Sequence, residues 1–81
     1  MQKHTKVYFR YFDYGEQDMI PCEICGARAV DIHYITGRGK GKDVIENLIA
    51  LCREHHNVAH KINNKYTQAY LSEIHKRKLK S

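Results

Sequence analysis

The chain is 81 residues long, with 14 Lys and Arg against 9 Asp and Glu, three cysteines and no tryptophan. A sequence this short predicts one domain, 1–81, whose modest core a structural metal would supplement. Its formal charge of +5, with basic clusters at 38–42 and 76–80, points to a phosphate-rich partner; the longest apolar run, 48–52, is far too short for a bilayer span. The N-terminus also lacks a signal peptide's apolar segment, so a soluble, intracellular (cytoplasmic) protein with no membrane partner is expected.

From the N-terminus, Lys6-Val7-Tyr8-Phe9-Arg10-Tyr11-Phe12 alternates loosely, placing Val7, Phe9 and Tyr11 on one face. It reads as a strand or extended arm whose aromatics serve the core rather than stack on bases. Asp13-Tyr14-Gly15-Glu16 signals a turn. Pro21 then stiffens the approach to Cys22 and biases Ile20 toward an extended conformation.

In Cys22-Glu23-Ile24-Cys25-Gly26 two thiols straddle a tight turn, and Gly26 supplies the backbone freedom for the chain to fold back around an ion. A half-site of this kind needs a second half. Cys52-Arg53-Glu54-His55 provides one at the same spacing, and a neutral imidazole can complete a tetrahedral site beside three thiolates. Without a secretory signal, three cysteines indicate metal ligands rather than a disulfide framework. Structural zinc on Cys22, Cys25, Cys52 and His55 is the expected outcome.

Residues 29–36 form a β-rich run that ends at Gly37. The loop Gly37-Arg38-Gly39-Lys40-Gly41-Lys42 is glycine-rich but is not a phosphate-binding Walker pattern; Arg38, Lys40 and Lys42 suit a DNA backbone better. Leu48 to Cys52 reads as a second strand, and a helix begins near Arg53. On that helix His56 and His60 are four apart and share a face, while His55 lies about 100° round the axis and can serve a different ion. After a break at Asn63-Asn64 a last helix runs from about Thr67 to Lys78. Its apolar stripe would be Ile62, Tyr66, Tyr70 and Ile74, with Leu71 beside them, and its work packing. Lys76, Arg77, Lys78 and Lys80 suit either the negative pole of that helix or DNA.

Asp31, His33, Asn47, His56 and His60, in that order and with a Cys/His zinc site around them, resemble the HNH endonuclease family in its colicin-type form. The resemblance covers about residues 20–60. It implies a small α+β fold: a ββα-metal (His-Me finger) hairpin and helix with a zinc knuckle, joined here to the N-terminal strand or arm and the C-terminal helix. It further implies that His33, His56 and His60 bind a catalytic metal, that Asn47 ties down the hairpin loop, and that Asp31 orients an imidazole.

The departure is Tyr34, which stands where the family has its general-base histidine. Tyrosine titrates near 10 and histidine near 6.5, so an unperturbed phenol is a poor base at neutral pH. Tyr34 could be activated, could place a water, or could leave proton transfer to a neighbouring histidine. Strand parity instead sends it into the core with Val30 and Ile32. A shifted register is also open, in which Asp31 is a ligand and His33 the base; two neighbouring site residues on one strand would otherwise need a local bulge.

The function implied is metal-dependent hydrolysis of DNA phosphodiester bonds. Three imidazoles suit one ion of Zn, Ni, Mn or Co, and a carboxylate from Asp31 would move the preference toward Mg. The alternative is a non-catalytic, zinc-stapled DNA-binding or assembly module on the same scaffold. Small HNH proteins of this kind belong to phages and mobile elements, which makes phage packaging or recombination proteins in a bacterial host the partners to consider beside DNA.

Overall fold

The computed structural model describes residues 2–80. Its elements run α1 (Lys3–Phe12), β1 (Asp31–Tyr34), a 3-10 turn (Ile45–Asn47), β2 (Leu48–Leu51), α2 (Arg53–Lys61) and α3 (Lys65–Lys80), a small α+β fold. No helix among the described residues is long and apolar enough to cross a membrane.

Leu48-Ile49-Ala50-Leu51 is apolar at every position, and such a strand must be covered on both faces. All four residues are fully buried. β2 pairs antiparallel with β1, Asp31 opposite Leu51 and His33 opposite Ile49, one-to-one over four pairs. No bulge interrupts the ladder. His33 and Tyr34 therefore leave the strand on opposite faces.

One face of the hairpin, through Ile49 and Leu51, packs with Cys22, Ile35, Cys52, Ala59 of α2 and Leu71 of α3. The other, through Ile32, Leu48 and Ala50, packs with Tyr8 of α1 and Ile20, and Tyr34 and Val7 lie against that cluster.

The N-terminal segment is a helix and not the strand or arm that its alternation suggests. His4, Tyr8 and Phe12 recur every four residues, and this is the period the fold uses: His4 and Tyr8 are buried, while Tyr11 is exposed. A short run crowded with aromatics satisfies both periods, and the apolar face of the hairpin selects the helical one. α1 ends with Asp13 at φ 59°; the Tyr14 N–H donates to the Phe9 carbonyl (2.8 Å) and the Asp13 N–H to that of Arg10 (3.3 Å). That is a Schellman-type cap.

The last helix forms, beginning two residues earlier than the sequence suggests, but it buries another stripe. Ile62, Tyr66 and Tyr70 are exposed, and the inward residues are Leu71 and His75, with Ile74 alongside. Burial of His75 becomes possible because the histidine is fully bonded. Its Nδ1 lies 2.9 Å from Glu23 Oε1 and its Nε2 meets the Ile45 carbonyl; Glu23 also accepts from the Tyr8 hydroxyl at 2.6 Å. Among the described residues no buried side-chain nitrogen or oxygen lacks a partner. Lys78 donates to the Tyr14 hydroxyl (3.1 Å) and lies 4.9 Å from the Phe12 ring centroid, so this basic residue joins α3 to the end of α1.

Candidate functional site

Two groups of ligating side chains come together among the described residues, on different sides of α2. The first is built by the turn at Cys22 and the start of α2. The Cys22 N–H donates to the Ala27 carbonyl and the Gly26 N–H to that of Cys22, with Gly26 at φ 81°, a conformation side chains rarely adopt. The Glu23 N–H donates to the Ala50 carbonyl at 3.0 Å, which holds the turn against β2.

Cys22, Cys25, Cys52 and His55 then offer one ligand atom each, all within 4.8 Å of one another. Cys25 Sγ lies 3.8 Å from Cys52 Sγ, and His55 Nδ1 lies 3.7 Å from Cys22 Sγ and 3.2 Å from Cys52 Sγ. Bonds of about 2.3 Å to sulfur and 2.0 Å to nitrogen in a tetrahedron give edges of about 3.5–3.8 Å, so the set could hold a metal ion such as zinc. The sulfurs are free thiols. Burial pushes the Cys22 thiol up, but backbone N–H groups of Cys52, Cys25 and Ile24 more than offset it and bring the group down to about 7. A thiolate ligand is thereby favoured.

The second group is His33 from β1 with His56 and His60 from α2. One turn of helix separates His56 and His60, and their Nε2 atoms are 3.0 Å apart. The His33 ring centre lies 5.5 Å from that of His56 and 5.3 Å from that of His60, with all three rings nearly perpendicular. Two nitrogens bonded to one ion at about 2.0–2.1 Å stand about 3 Å apart, so this donor set also fits a metal. Burial, and then the charges of His56 and His60, lower His33 to about 4 against a weaker opposing pull from Asp31. His33 is neutral at pH 7, the state a ligand needs.

Asp31, on the same strand face as His33, places Oδ2 at 3.2 Å from His56 Nε2. That is the nitrogen facing His60, not the far side of the ring. The carboxylate therefore meets His56 on the side its ring turns to His60, while His33, His56 and His60 form the close ligand group without it.

Tyr34 departs from simple burial. It is half-buried and packs on the α1 side, with the His4 ring centre 4.6 Å away, yet it also lines the recess of about 120 Å³ that contains Asp31, His33, Arg38, His56 and His60. Val30, expected to share its core direction, is exposed. The Tyr34 hydroxyl donates to Asp43 Oδ1 at 2.5 Å, and this bond, with burial and the carboxylate's charge behind it, raises the phenol against the pull of Arg38.

Asn47 spans the glycine-rich loop. Its Oδ1 accepts from the Thr36 N–H and hydroxyl, both at 2.8 Å, while Nδ2 donates to the carbonyls of Lys42 (3.1 Å) and Gly37 (3.4 Å). Both ends of the loop are thus pinned by one side chain. Arg38 lies 5.5 Å from the Tyr34 ring centre at the rim, Lys40 is exposed, and Lys42 donates to Thr36 Oγ1 at 3.1 Å.

Asp43, His4, Glu23 and His75 play parts that no motif announces; for Asp43 the one local signal is a carboxylate closing a glycine-rich loop. Comparisons with protein-family models, curated proteins and solved structures returned no match.

Proposed function

We propose that the chain is an HNH-type nuclease that hydrolyses DNA phosphodiester bonds, with a structural zinc on Cys22, Cys25, Cys52 and His55 and a second divalent ion at His33, His56 and His60. The observation that carries the reading is the convergence of three imidazoles in one recess beside a basic loop, apart from the cysteine site. A zinc staple alone has no use for that second cluster. The order strand, clamped loop, strand, helix around it supports a ββα-metal reading of this hairpin.

An ion held there supplies charge neutralisation at the scissile phosphate and at the departing 3′ oxygen. The chain does the rest. Arg38 at the rim and Lys40 and Lys42 on the loop attract the DNA backbone, and Asn47 keeps that loop in one shape. Neutral His33 would present a lone pair to an ion of Zn, Ni, Mn or Co, and a carboxylate oxygen from Asp31, if drawn in from its contact with His56, would move the preference toward Mg. Among the described residues that line the recess, Tyr34 carries the one hydroxyl, with the Asn63 amide as the other neutral polar side chain outside the histidine set.

Plasmid cleavage across divalent ions tests the proposal. His56→Ala and His60→Ala should keep the zinc and the melting transition while losing ion-stimulated cutting by at least about 100-fold. Equal cutting by wild type and both variants would remove the catalytic assignment. The second reading, a zinc-stapled DNA-binding or assembly module, draws on the Tyr34–Asp43 bond, which makes the phenol a worse base. DNA binding with no cutting under any ion would establish that module instead.

A further inference from the structure

Resting on the nuclease reading, we propose that Asp43 is a positioning residue that acts through Tyr34, accepting the phenol's proton as the Tyr34 oxygen takes one from the attacking water. The Tyr34 hydroxyl donates to Asp43 Oδ1 at 2.5 Å. An ionised carboxylate only accepts, so the phenolic hydrogen points at Asp43 and the oxygen's lone pairs remain for another donor. Tyr34 lines the recess of the three histidines, and Asp43 is not among the residues that do. The carboxylate thus stands one residue behind the wall of the recess.

Its position is fixed. Asn47 Nδ2 holds the carbonyl of Lys42, the residue before Asp43, and the 3-10 turn begins two residues after it. The charged and titratable groups facing the pair are His4 of α1 against the Tyr34 ring, Arg38 over the same ring, and Lys42, whose ammonium is bonded to Thr36. None of these stands between the hydroxyl and the carboxylate.

A phenol acting alone would have to end the step as phenolate, which its bond to a carboxylate opposes. A relay avoids that species. Water's O–H bond breaks as its oxygen bonds to phosphorus; the proton passes to the Tyr34 oxygen while the phenol's own proton passes to Asp43. The bond from phosphorus to the 3′ oxygen breaks with its electron pair on that oxygen, which takes a proton from solvent. Asp43 returns its proton to solvent, and Tyr34 is neutral before and after. In this arrangement tyrosine replaces histidine without demanding alkaline pH.

The test compares full-length, zinc-matched wild type, Asp43→Asn, Asp43→Glu and Tyr34→Phe. Proton NMR without added second ion should show a downfield, slowly exchanging hydroxyl signal in the wild type, absent from Tyr34→Phe and moved in Asp43→Asn. In plasmid nicking, Asp43→Asn and Tyr34→Phe should each lose about 100-fold or more in kcat with KM little changed, and Asp43→Glu should recover part of the loss. The wild-type rate should be level through neutral pH rather than climbing toward 10. Full activity in either Asp43→Asn or Tyr34→Phe, or a wild type without the hydroxyl signal, overturns the relay and leaves the nuclease reading standing. A wild type that fails to cut under every divalent ion overturns the nuclease reading, and the relay with it.

Discussion

His75 Nδ1 and Glu23 Oε1 lie 2.9 Å apart, both side chains 1% exposed, although the residues are separated by 52 positions. Both ring nitrogens of His75 face acceptors, Glu23 on one side and the Ile45 carbonyl on the other, so both bonds form only if both nitrogens carry hydrogen. The pair joins α3 to the cysteine turn, and through Tyr8 to α1. Removing one member of a buried pair strands the other, at a cost of about 3–5 kcal/mol. Against the ~5–15 kcal/mol that stabilises a whole domain, His75→Ala and Glu23→Gln should each bring denaturation to much lower urea at matched zinc content. An unchanged midpoint would mean the contact contributes nothing.

Cys25→Ala addresses the cysteine site. It removes one of four ligands, and in so small a fold metal binding is folding free energy. Wild type purified without added metal should carry close to one zinc per chain, and the variant should lose it with most of its cooperative melting. Metal analysis and a thermal scan on the same samples decide this; a metal-free wild type with a sharp transition would contradict it.

What could be read from the residues alone follows from how local each signal is. Two x-x spaced pairs suffice to nominate Cys22, Cys25, Cys52 and His55, because a knuckle and the first turn of a helix each set their own geometry. His56 and His60 are likewise a one-helix property. The N-terminal segment is different: its helical period shows itself only once the hairpin presents a face for Tyr8 to cover. The buried side of α3 was hidden for a related reason. A histidine counts as polar in any apolar-stripe reading, and His75 goes inward only because Glu23 and Ile45 meet it. Asp43 was hidden behind a loop whose closure depends on Asn47.

The lowered titration of His33 gives a pH dependence. In the unfolded chain the imidazole takes its proton near 6.5, whereas in the fold burial, followed by the charges of His56 and His60, holds it at about 4. Below about 6.5 the unfolded state binds a proton that the native state refuses, so stability falls as pH drops, and the loss stops growing below about 4. With no ion at the three histidines, the denaturation midpoint of His33→Asn, which cannot titrate, should therefore gain on that of the wild type from pH 6.5 down to 4. Parallel curves across this window would refute the assignment.

The basic loop should reveal itself through salt. Each phosphate neutralised by a side chain steepens the fall of log K with log salt by about 0.9 for duplex DNA. Arg38 and Lys40 are exposed at the rim and on the loop, while the Lys42 ammonium is bonded to Thr36. Arg38→Ala and Lys40→Ala should each weaken DNA binding about equally on all sequences and reduce the salt slope by about 1. Lys42→Ala should differ in kind, because it also removes a bond inside the loop that Asn47 clamps, so its loss should include a part that salt does not change. Fluorescence anisotropy on one duplex at several salt concentrations separates the two behaviours. Identical slopes for wild type, Arg38→Ala and Lys40→Ala would move the DNA contact off this loop and onto another basic surface, with the residues around Lys76 and Lys80 on α3 as the next to substitute.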